Sequence, residues 1–84
     1  DLEEILTEAV TDIEMLLAGL SSDDLDVVAK NAHKIVSACG NFGYLQCAEL
    51  AAHVEQKAKI RELSEEDNNC LIDMVERVVT DLKK

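Results

Sequence analysis

Apolar residues recur at three- and four-residue steps along most of the chain, and four separate stripes can be traced. Leu2, Ile5, Leu6, Ala9, Val10, Ile13, Leu16, Leu17 and Leu20 make the first, one face of a helix of about five turns. Gly19 stands near its end, where a break is expected. Leu25, Val28, Ala32, Ile35 and Cys39 form the second stripe. Ser21 and Asp24 precede it at capping-box spacing, and Asp23 and Asp24 suit the positive end of the helix dipole, so a second helix is expected to start there. Gly40, Asn41 and Gly43 supply its stop. Cys47, Leu50, Ala51, Val54 and Ala58 give the inner face of a third helix, with Glu49, Gln56 and Lys57 on its wet side. Ser64, followed by Glu65, Glu66 and Asp67, caps a fourth stripe of Leu71, Met74, Val75, Val78 and Leu82. Lys83 and Lys84 suit the negative end of that helix. Helices of this length joined by a few residues reverse direction each time. The expected fold is all-α, an antiparallel up-down-up-down four-helix bundle forming one domain over residues 1–84.

Composition narrows the picture further. Hydrophobic residues make up 48% of the 84 positions, but only Phe42 and Tyr44 are aromatic and proline is absent, which favours helix packed on helix. A net charge of -10 repels a phosphate backbone, so nucleic acid is not an expected partner. The longest apolar run, Met15 to Leu20, falls far short of the roughly 20 residues needed to span a bilayer, and no signal peptide is visible. Cys39, Cys47 and Cys70 are an odd set without CxxC spacing, which argues against a disulfide framework or a zinc site and for a reducing, cytoplasmic setting. Cys39 and Cys47 fall on apolar stripes and read as small core residues.

The candidate chemistry centres on His33. On a wheel of roughly 100° per residue it projects roughly 120° away from the core stripe of the second helix, toward solvent. Its patch holds Ala29 one turn before, Ser37 one turn after and Gly40 two turns after, all small. Such a clearing lets one imidazole enter a partner's cleft without bulky side chains holding the two backbones apart. Lys30 and Lys34 flank it in a chain with eight basic residues; they read either as supports for a phosphoryl group or as plain solvated charges. A neutral imidazole is available near pH 7 and needs no separate base to act as a nucleophile. His53, between Glu49 and Lys57, reads as a solvated helix residue. Phe42 is expected to plug the end of the bundle and Gly43 to serve the helix junction. The acidic runs are explained by helix capping without a calcium loop.

The segment Ala32-His33-Lys34-Ile35-Val36-Ser37-Ala38-Cys39-Gly40-Asn41-Phe42-Gly43 resembles the signature of histidine-phosphotransfer domains. The likeness continues through Cys47, Leu50, Ala51, Val54 and Glu55, and in detail covers about Ala29 to Glu55. The resemblance implies a phosphorelay carrier: His33 accepts a phosphoryl group from a receiver-domain aspartate and passes it to another receiver. Lys30, Lys34 and Ser37 would support the phosphoryl group, and Ala29, Val36, Gly40 and Tyr44 would form the docking surface. Response-regulator receiver domains are the expected partners of a monomeric domain that has no kinase activity and no cofactor or metal of its own. Acid catalysis, the aspartate and Mg²⁺ would belong to the docking receiver. Where the family usually carries lysine and glycine, three and four residues after the histidine, this chain has Val36 and Ser37, and Tyr44 stands where alanine is typical. Val36 therefore motivates an alternative, a receiver-binding module that is never phosphorylated; a purely structural bundle is a third reading. Because the chain begins at Asp1, it is expected to be cut from a hybrid sensor histidine kinase, with the parent anchored in the inner membrane, or else to be a free-standing phosphotransfer protein.

Overall fold

The computed structural model describes residues 2–84. They form four helices, α1 (Leu2–Gly19), α2 (Leu25–Asn41), α3 (Leu45–Lys59) and α4 (Glu65–Leu82). Each packs on its neighbour in sequence, and α1 closes the ring against α4. With connections this short the direction alternates, giving the antiparallel four-helix bundle. Ile13, Leu20, Val28, Ile35, Val54, Leu71 and Val75 are fully buried at its centre. No described helix is long and apolar enough to cross a membrane.

The ends of the helices show which local signals prevailed. Asp24, not Ser21, is the N-cap of α2, its carboxylate accepting the Asp26 N–H at 2.9 Å. Ser22 Oγ accepts the Asp24 N–H at 3.1 Å and so fixes the turn ahead of the cap. Ser64 caps α4 as its spacing suggests, Oγ accepting the Asp67 N–H at 3.1 Å. At the end of α2 the Tyr44 N–H returns to the Cys39 carbonyl at 2.9 Å and the Gly43 N–H to Gly40 at 3.1 Å, with Gly43 at φ 83°. This is a Schellman closure with glycine at the left-handed position. The end of α3 repeats it, Glu62 to Lys57 at 2.8 Å and Arg61 to Ala58 at 3.2 Å, but here Arg61 takes the positive φ, 59°. Gly19 has a different reason: a Cβ there would lie 2.3 Å from the Asn31 side chain, so the end of α1 meets α2 only through a glycine.

Two apolar expectations fail. Leu2 and Ile5 are exposed; the α1–α4 pair is tied at its other end, where Asn68 Nδ2 donates to the Leu20 carbonyl at 2.9 Å. Phe42 does not plug the bundle end; it lies at the C-cap of α2, 38% exposed.

The closest pairing in the bundle is α2 with α3. Its buried residues include Ala29, Ala32, Cys39, Cys47, Ala51 and Ala58, side chains short enough to let two backbones approach. Ala51→Leu inserts three carbons into this seam. It is expected to lower stability by about 1–3 kcal/mol, read as a drop in the urea midpoint without a change in slope.

Candidate functional site

His33 sits on the outer edge of this seam. Its side chain is 70% exposed, and its Nδ1 lies 3.0 Å from Oε2 of Glu55, which reaches across from α3. The Glu55 side chain is only 14% exposed, and the same Oε2 accepts from the Lys59 ammonium at 2.9 Å, one turn further along α3. Lys59, with a smaller contribution from the His33 ring, holds the Glu55 carboxyl below its usual range, against the opposing effect of burial. A carboxylate fixed in that state accepts from an imidazole. When the ring is neutral its proton therefore sits on Nδ1, and the lone pair is left on Nε2. The resulting arrangement is a nucleophilic nitrogen on a ring whose orientation is set from behind by a half-sheltered carboxylate.

An open groove along α2 and α3 contains His33 together with Asp26, Ala29, Lys30, Lys34, Glu55 and Lys59. Three lysines thus line the groove that holds the imidazole in a strongly acidic chain. Lys30 and Lys34 were expected there; Lys59 and Glu55 were not given these roles. Glu55 was legible only as the end of the signature segment, and its pairing with a residue 22 positions away depends on the register of two helices.

The other expected residues are distributed unevenly. Ser37 and Gly40 are exposed on the following turns of α2, outside the groove, and a Cβ on Gly40 would meet nothing within 4 Å. Ala29 corrects the reading of an open patch: it is 6% exposed, because α2 packs on both α1 and α3 and so buries a wider arc than one stripe. It forms part of the groove lining instead. Val36 is half-buried against the core. Tyr44 is also half-buried, its hydroxyl donating to Asp81 of α4 and its ring lining a groove with Met74 and Arg77, separate from the His33 groove. That bond and the charge of Asp81 raise the Tyr44 phenol above its ordinary value. His53 is less solitary than expected, its Nε2 lying 3.2 Å from an Asp67 carboxylate oxygen in the first turn of α4.

The bundle presents two exposed imidazoles paired with carboxylates, and His33 is the one set in a groove lined by lysines. The family model of the Hpt domain matches residues 2–81, nearly the whole chain, and the protein belongs to that family. Hpt domains carry phosphoryl groups in the phosphorelays of two-component signalling and interact with receiver domains. Comparison with curated proteins gives no match, and neither does comparison with solved structures.

Two measurements test this geometry. Nitrogen-15 spectra of the neutral imidazole are expected to show the proton of His33 on Nδ1, and Glu55→Ala to return the ring to a mixture weighted toward the other tautomer. The second measurement follows acid stability. A carboxyl whose folded-state pKa is depressed stabilises the fold above its unfolded value of about 4.3, and that contribution is lost as pH falls through the lower folded value. The stability gap between the wild type and Glu55→Gln is therefore expected to be largest above about pH 5 and to close on acidification.

Proposed function

We propose that His33 is the phosphorylated residue of this Hpt domain and that it relays the group between the aspartates of two receiver domains. The observation that carries the reading is the Nδ1 contact with Glu55 on a side chain that is 70% exposed, which leaves Nε2 as the nitrogen without that partner and so as the attacking atom. In the forward step the Nε2 lone pair attacks the phosphorus of a receiver's aspartyl phosphate. The N–P bond forms, the P–O bond to the aspartate breaks, and the carboxylate leaves with its electron pair. The Nδ1 proton stays where it is, and Glu55 offsets the positive charge that develops on the ring. Passage to a second receiver is the reverse displacement.

Lys30, Lys34 and Lys59 supply cationic surroundings for the phosphoryl oxygens, which compensates for Val36 standing where the family's usual lysine would be. Ser37, exposed one turn on, supplies a hydroxyl at the rim. The docking surface runs from the groove over Val36, Ser37 and Gly40 to the exposed apolar residues Phe42 and Leu45. Ala29 contributes to its floor and Tyr44 to its far edge. The receiver brings the aspartate and Mg²⁺; the Hpt domain acts as a monomer and adds no cofactor. The alternative, a receiver-binding module without transfer, rests on Val36, which is half-buried and offers no group to a phosphoryl oxygen.

Incubation with a receiver phosphorylated on its aspartate distinguishes these readings. Transfer yields an acid-labile, alkali-stable phosphate on the domain, absent in His33→Gln. Gly40→Leu, which meets open space in the isolated fold, is expected to keep the thermal midpoint and to slow labelling by about tenfold or more. Receiver binding without label would remove the relay assignment and leave the binding module.

A further inference from the structure

Cys39 and Cys47, both buried, face each other across the α2–α3 seam with their Sγ atoms 3.2 Å apart, a thiol–thiol hydrogen bond. They are eight residues apart in sequence and flank the Gly43 turn, Cys39 in the last turn of α2 and Cys47 in the first turn of α3. Both bond formation and access are favoured by the surroundings. A disulfide needs the sulfurs only about 1 Å closer than they are, at about 2.05 Å. Cys47 also lines a surface groove with Gly43, Tyr44, Leu45 and Met74, so a small oxidant, although not a protein-sized one, approaches the pair from the Cys47 side. The third cysteine, Cys70, is exposed on α4 and has no part in the pair.

We propose that the Cys39–Cys47 pair is an oxidation site at which a hydroperoxide closes an internal disulfide and fastens the α2–α3 hairpin at its turn end. One sulfur, as its thiolate, attacks the outer oxygen of the peroxide. The O–O bond breaks, the thiol proton goes to the departing alkoxide or hydroxide, and a sulfenic acid remains. The second thiol attacks that sulfur, the S–S bond forms, and the hydroxyl departs with its proton as water. In sum, two thiols and one hydroperoxide give a disulfide, one water and one alcohol, or a second water when the oxidant is hydrogen peroxide. The shared proton aids the first step: loss of one proton leaves a thiolate that the neighbouring thiol stabilises across the 3.2 Å contact, while the second proton is held above the ordinary thiol range.

Closing so short a ring removes chain entropy from the unfolded state and little freedom from the folded one. The thermal midpoint of the oxidised domain is expected to rise by roughly 10 °C.

The test uses the chain with Cys70→Ser, which prevents cross-linking between molecules through the exposed thiol. It is treated with hydrogen peroxide, then alkylated under denaturing conditions and weighed intact. The expected product has lost two hydrogens, takes up no alkylating agent, regains both thiols with a dithiol reductant, and yields one peptide pair joined through Cys39 and Cys47. Cys39→Ala in the same background, small enough to keep the seam packed, is expected to yield no such product. Recovery of two free thiols, or of sulfinic acid at either position, would overturn the proposal. So would a disulfide whose formation leaves the midpoint unchanged or lowers it, since the bond would then strain the seam rather than fasten it.

Discussion

The close approach of α2 and α3 is the constraint from which the rest of the molecule follows. It exists because alanines and cysteines occupy the positions where bulkier residues would hold two helices about 10 Å apart. Across this seam a glutamate on one helix reaches an imidazole on the other at 3.0 Å. The same spacing brings two sulfurs into contact further along the seam. Packing and chemistry thus share a cause, and the large residues of the core, Ile13, Leu20, Ile35 and Leu71, are left to fill the centre of the bundle.

The electrostatics of the site work against the average of the chain. With a net charge of -10 the surface as a whole disfavours a phosphoryl group, yet Lys30, Lys34 and Lys59 all border the groove of His33. Lys59 ion-pairs with Glu55 at the rim, and the two charges largely cancel there, which leaves Lys30 and Lys34 as the unopposed lysines on α2. Glu55 would otherwise oppose an incoming anion; paired with Lys59 it presents the ring with an acceptor and the groove with little net charge.

Much of the fold was legible because it depends on local pattern. The four stripes, the Ser64 cap and the Gly43 stop lie in the elements their spacing implies. What escaped depends on neighbours. Asp24 displaced Ser21 as a cap because Ser22 was there to hold the turn. Arg61 hid the end of α3, since a left-handed residue that is not glycine leaves no mark in the sequence. Ala29 seemed open on a wheel that treats α2 alone, whereas α2 is pressed between two helices. His33 could be picked out from its small neighbours and the Asn41-Phe42-Gly43 tail. Its orienting carboxylate could not, because no periodicity within one helix tells which side chain of another it will meet.

The left-handed Arg61 places a backbone cost of about 1 kcal/mol just beyond Lys59. The cost is met where two backbone bonds close the last turn of α3, Glu62 to Lys57 and Arg61 to Ala58, and Glu55 lies one turn ahead of that closure. Lys59 is the last residue of the helix, so the closure that ends α3 also places the ammonium that holds Glu55. The orientation of the imidazole thus depends on a helix end that lies away from the histidine and is held by backbone bonds of its own.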